Sequence, residues 1–292
     1  MMDEVVKDFM QATNGRTVAP QLSTLPLWML TTWPRVNNSA FPPEPWQPVA
    51  DLPAYPGSGA MLTDPSCKQV AEYFARIVGH YTRGGFHDEC GRWHESGLYY
   101  HWDWLSIMNE CEHFGYTGPT AAKGQNSCAQ QYSRCLDATE QAIAQVNPGL
   151  AERIVGPEFG TESTPTAGVN VTQMFEFYLD PANHRDGKTP ARFSLHWVGS
   201  DGPGFHNFDT WFESVLSPVL HIRDRLAPDA QLWVNELSAA AGGSGQQCGG
   251  DSDTSWSLAG AFFAYAVGRL AQVGAQVVGQ DQLIAGPAPN PK

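Results

Sequence analysis

Glu110 and Glu236 carry the strongest chemical signal in the sequence. Each ends a short apolar run, Trp104-Leu105-Ser106-Ile107-Met108 in one case and Leu232-Trp233-Val234 in the other, and each is preceded by an asparagine, Asn109 and Asn235. Two matched carboxylates at strand ends suit a reaction that needs one protonated and one ionised carboxyl group. Cleavage of a glycosidic bond is such a reaction: one group assists the leaving oxygen while the other attacks or directs water. Like-charge repulsion between two carboxylates about 5 Å apart helps to keep one of them protonated.

Other constellations are weaker. Glu110-Cys111-Glu112-His113 has the Glu-x-x-His spacing of half a di-iron site, but the sequence has no second copy. His87, Cys90 and His94 lack a further spaced pair to complete a zinc set, and no G-x-S-x-G elbow activates a serine. No metal and no cofactor are therefore expected. The six cysteines form no C-x-x-C pair, which leaves their pairing and the redox compartment open. Of the ten tryptophans, Trp211 and Trp256 fall on helical stripes and read as core, and Trp233 reads as packed inside the barrel or behind it. Trp28 and Trp197 lie near strand ends, where a ring could stack on a sugar face.

The elements that would position these residues alternate. Thr17–Ser23 reads as a strand, and the prolines after it make Leu25–Gly59 a loop. Asp64-Pro65 opens a helix whose stripe of Val70, Tyr73, Phe74, Ile77, Val78 and Tyr81 runs to Gly84-Gly85. Strands follow at 100–108, 153–156, 193–197, 231–235 and 276–280, separated by helices near 132–146, 171–179, 208–220 and 256–270. Strict strand and helix alternation implies a parallel sheet. Candidate chemistry recurs after several different strands, at Asn109-Glu110, His196-Trp197, Asn235-Glu236 and Gln280, as in a (β/α)8 barrel, and no Gly-rich dinucleotide turn is present. The expectation is an α/β fold of the TIM-barrel type, with 1–292 as one domain.

Composition narrows the partners. Seventeen Lys+Arg against thirty Asp+Glu give a net charge of −13, which argues against nucleic acid, and the sequence has no apolar run long enough to insert into a bilayer. The N-terminus is acidic where a signal peptide would be basic. The sequons Asn37-Asn38-Ser39 and Asn170-Val171-Thr172 suit secretion of a longer parent protein. The expected partner is a carbohydrate or other glycoside.

The runs Trp104–Glu110 and Leu232–Leu237, together with Tyr81–Phe86, His94–Gly97, Phe193–Trp197 and Val277–Leu283, resemble glycoside hydrolase family 39. This family belongs to the clan of retaining (β/α)8 glycosidases with catalytic glutamates after strands four and seven. The resemblance implies double displacement of the β-xylosidase or iduronidase type. Glu110 would be the acid/base, Glu236 the nucleophile and Asn109 a contact to the sugar 2-hydroxyl. His196, Trp197, Trp28 and Gln280 would line the substrate site. The chain departs from the clan at Val198, where many members carry a tyrosine that bonds the nucleophile; Tyr99 or Tyr100 could substitute. With strand four fixed at Glu110, Thr17–Ser23 becomes strand three, so the chain reads as strands three to eight of an incomplete barrel, lacking the first two strands and the last helix. Exposed strand edges would then make residues 1–292 alone insoluble or molten. A catalytically silent, carbohydrate-binding remnant is the alternative reading.

Overall fold

Short apolar strands alternating with amphipathic helices are what this sequence adopts in the computed structural model, which describes residues 2–23, 25–29, 62–110, 127–161, 171–198, 205–238 and 253–280. The residues fall into two units. One draws on Met1–Asn109 and Gln131–Val155, the other on Glu110 and Gly156–Lys292.

In the first unit, helix α1 (Met2–Ala12) precedes strand β1 (Gln21–Leu22), and α2 spans Lys68–Thr82. Of the α2 stripe expected from its spacing, Val70, Phe74 and Val78 are at 1% exposure or less and Tyr81 is buried, while Tyr73 and Ile77 are half-buried. Asp64 stabilises the entry to α2 by accepting from the backbone N–H groups of Ser66 and Gln69. A two-stranded antiparallel hairpin follows, β2 (Gly85–His87) against β3 (Trp93–Glu95), which the strand pattern did not foretell. Strand β4 covers only Leu105–Ile107 of the run expected from 100 to 108. The preceding residues bond elsewhere: Tyr100 N–H donates to Tyr81 O, and Asp103 and Trp104 N–H both donate to Val18 O. Helices α3 (Ser127–Val146) and α4 (Pro148–Ala151) lead to β5 (Ile154–Val155), with Asn147 capping α4 through Leu150 N–H. The strands β1, β4 and β5 form one parallel sheet in chain order. A disulfide joins Cys67, at the start of α2, to Cys135 in α3.

The second unit begins where the run read as one strand at 153–156 breaks. Pro157 has no N–H to offer a ladder and Glu158 takes φ 56°, so a separate strand, β6 (Phe159–Gly160), starts after them. Next come α5 (Val171–Leu179), β7 (Arg192–Val198) and α6 (Phe205–Trp211); α6 passes through one π-helical turn at Phe212–Leu216 into α7 (Ser217–Leu226). Strand β8 (Gln231–Ser238), helix α8 (Asp253–Gln272) and strand β9 (Val277–Gln280) complete it. The strands β6, β7, β8 and β9 are parallel and ordered as in the sequence. Phe193, Leu195, Leu232 and Val234 on the strands, with Phe208, Leu216 and Leu270 on the helices, are fully buried. The chain is therefore an α/β protein with parallel sheets in (β/α) succession, the class that the alternation predicts.

Candidate active site

The second unit gathers four ionisable side chains from four chain segments. His196 lies in β7 at 0% exposure. Its Nδ1 is 2.8 Å from Glu110 Oε1 and 3.4 Å from Glu236 Oε2, and its Nε2 is 3.0 Å from Glu158 Oε2. One oxygen each of Glu110 and Glu236 and a ring nitrogen of His196 lie within 4.8 Å of one another. Among the described residues this is the set whose donors could also hold a metal ion.

Local backbone places each group. Glu110 has φ 46°, and its N–H donates to Glu158 O at 2.9 Å, which fixes the two chain turns against each other. The Glu158 N–H donates to Ser194 Oγ at 3.0 Å. On β8, one extra residue interrupts the pairing: Leu195 is opposite Val234, but His196 is opposite Glu236. The bulge lets Asn235 Nδ2 donate to Glu158 while Glu236 reaches His196. Gly279 on β9 makes room for it, since a Cβ there would collide with the Asn235 carbonyl. Behind the ring, Trp211 Nε1 donates to Thr161 Oγ1 at 2.7 Å, and Thr161 donates in turn to the His196 carbonyl.

Exposure divides the cluster. The Glu110 and Glu236 side chains reach solvent at 15% and 24%, whereas His196 and Glu158 are at 0%. Only the first two can touch a ligand. Burial opposes charge on His196 most strongly, but bonds to Glu110 and Glu158 and the charges of Glu158 and Glu236 together outweigh it and push the ring up to about 10. At neutral pH the His196 ring is therefore an imidazolium.

Of the residues singled out from the sequence, Glu110, His196 and Glu236 come together here. Gln280 is exposed at the end of β9. Trp197 is 3% exposed, its ring stacked on Phe262 and packed against Phe208 and Trp211, so it serves the core and offers no face to a sugar. Asn109 and Trp28 belong to the first unit, Asn109 accepting from Gln21 Nε2 at 2.6 Å and Trp28 being 62% exposed. Tyr99 and Tyr100, considered as stand-ins at Val198, are also in the first unit; His196 is within reach of Glu236 here. Cys111, Glu112 and His113 lie outside the described residues, as do the sequon at 37–39, Asn170 of the second sequon and the side chain of Trp256. His87 and His94 bond locally, to Gly91 O and to Asp88. Sequence reasoning missed Glu158. Its signal was a carboxylate just past an apolar run, in Val155-Gly156-Pro157-Glu158, masked by the proline and the absence of a preceding asparagine.

No protein-family model matches the chain, and no curated protein matches it in sequence. Among solved structures it is similar to a glucosidase from Croceicoccus marinus, with 18% identity and a TM-score of 0.46 over 75% of this chain and 38% of that one. A xyloglucanase of glycoside hydrolase family 44 from Paenibacillus polymyxa gives 15% and 0.44, over 74% and 46%. A bacterial orthologue of human α-L-iduronidase gives 13% and 0.42, over 63% and 30%. The chain spans less than half the length of each of these.

Proposed function

We propose that the chain carries the catalytic centre of a retaining O-glycosidase, of the β-xylosidase or iduronidase type found in glycoside hydrolase family 39. The observation that carries this reading is the approach of Glu110 and Glu236, the two partly exposed carboxylates, to within 4.8 Å across one histidine. Retaining enzymes need about 5 Å between their two carboxyl groups, and inverting ones need room for an intervening water. In the proposed reaction Glu236 attacks the anomeric carbon as Glu110 protonates the departing oxygen. Glu110 then takes a proton from the water that releases the sugar. The substrate is a glycoside; no nucleic acid or membrane enters the reaction. The incomplete barrel of strands three to eight, treated as one domain, belongs to the same proposal.

The test is hydrolysis of aryl xylosides, glucosides, galactosides and uronides by the full-length protein. Glu236→Ala should abolish turnover on every substrate that the wild type cleaves. Glu110→Ala should keep activity on substrates with good leaving groups, whose departure needs no proton, and should be rescued by azide. Equal loss on activated and unactivated substrates would remove Glu110 from the role of acid.

A further inference from the structure

Both ring nitrogens of His196 lie within hydrogen-bond distance of a carboxylate oxygen, Nδ1 at 2.8 Å from Glu110 and Nε2 at 3.0 Å from Glu158. An ionised carboxylate only accepts, and a neutral imidazole has a single N–H. The two bonds therefore require two protons shared among three groups. Glu158 is buried at 0% exposure and is bonded by Asn235 Nδ2 as well as by the ring. Among the described residues, the charged groups that face His196 are Glu110 after β4, Glu158 before β6 and Glu236 on β8, and from α6 the neutral Trp211 acts through Thr161.

We infer that Glu158 and His196 are positioning residues that store the proton Glu110 delivers, holding it at rest on His196 Nδ1 and passing it to Glu110 Oε1 as the leaving group departs. This rests on the glycosidase reading. In the transfer the Nδ1–H bond breaks and its electron pair stays on Nδ1, an Oε1–H bond forms, and the ring becomes neutral with Nε2–H still donated to Glu158. Glu110 gives that proton to the glycosidic oxygen while the bond from this oxygen to the anomeric carbon breaks and Glu236 bonds to the carbon. In the second half, water adds to the carbon, Glu236 leaves as a carboxylate, and the proton released by water returns through Glu110 to Nδ1. One proton leaves with the alcohol and one is recovered from water. Glu158 is what makes the store workable, because esterified Glu236 no longer carries a charge to hold the ring protonated, while Glu158 still does.

The experiment is a pH titration of the His196 ring by nitrogen-15 NMR in the wild-type protein and in Glu158→Gln, beside pH profiles of kcat/KM on an unactivated aryl glycoside. In the wild type both ring nitrogens should be protonated at neutral pH. In Glu158→Gln the ring titration and the alkaline limb of kcat/KM should fall together by about 1 to 3 pH units, the usual effect of removing one adjacent opposite charge. A purely structural Glu158 would lower kcat equally at all pH values and leave the limb in place, which overturns the inference. If Glu158→Gln does not fold, the wild-type titration decides alone. A neutral ring at pH 7 in an active enzyme overturns the proton store and spares the glycosidase reading. A cationic ring in a protein that cleaves no aryl glycoside overturns the glycosidase reading and the delivery step with it.

Discussion

The protein contains the same pair of groups in two settings. In the β2–β3 hairpin, His94 Nε2 lies 2.7 Å from Asp88 Oδ2, with 37% of the ring exposed. In the second unit, His196 lies 2.8 Å from Glu110 with its ring fully buried. Contact distance hardly separates them, but the consequences differ. At the hairpin the carboxylate moves: donation from His94 and from the Arg92 backbone holds Asp88 down at about 2. At the buried site the ring moves, up to about 10, because several carboxylates converge on it where water cannot screen them. A carboxylate–histidine contact becomes a functional device through burial and through the number of partners; the short distance alone is common to both.

The largest effect expected from this contrast is on folding. Glu158→Ala leaves a buried imidazolium without its inner partner and should cost about 3 to 5 kcal/mol in denaturant unfolding, the usual loss when one member of a buried ion pair is removed. A loss under about 1 kcal/mol would equate the buried pair with a surface one. The second expectation concerns pH. The folded pKa of His196 is raised from 6.5 to about 10, so its contribution to stability is fully present below about pH 6.5 and is lost as pH rises through 10. Thermal melts should therefore show Tm falling from pH 6.5 towards 10 in the wild type, with the slope flattened in His196→Asn. Trp211→Phe keeps the ring in the core but removes its bond to Thr161, the residue that donates to the His196 carbonyl; about 1 kcal/mol should be lost in the same unfolding assay. Smallest of all is Asp88→Asn in the hairpin, for which a small fall in Tm is expected above pH 4 and none as pH falls below about 2. The Asp88 contribution appears above its unfolded value of 3.8 and is lost only as pH falls through about 2.

The alternation that predicts a parallel α/β fold is legible because each strand and helix buries one face, and that demand is written in local spacing. Glu110, Glu236 and His196 were legible for the same reason, as polar residues that end apolar runs. Glu158 was not, since its role comes from lying under His196, 38 residues away, and proximity of that kind leaves no local pattern. The Cys67–Cys135 bridge closes a separation of 68 residues and was hidden likewise. Trp197 misled in the opposite direction: a strand-end tryptophan is as fit for packing as for stacking on a sugar, and three aromatic neighbours settle it as packing. The strand at 100–108 was overextended because aromatic residues favour strands even where, as at Asp103 and Trp104, the backbone bonds to a single distant carbonyl.

The extra residue in β8 has a consequence for transplanting the site. Consecutive side chains on a regular strand point to opposite faces, so an Asn-Glu doublet could send only one of its members to a given target. Here Asn235 and Glu236 both converge on the Glu158–His196 pair, because the pairing with β7 slips by one between Leu195 and His196 and the pairing with β9 slips between Val234 and Leu237. Grafting the doublet onto a straight parallel strand would deliver half of it. The irregularity must travel with the two residues, together with a glycine on the neighbouring strand, in the place of Gly279, to leave space for it.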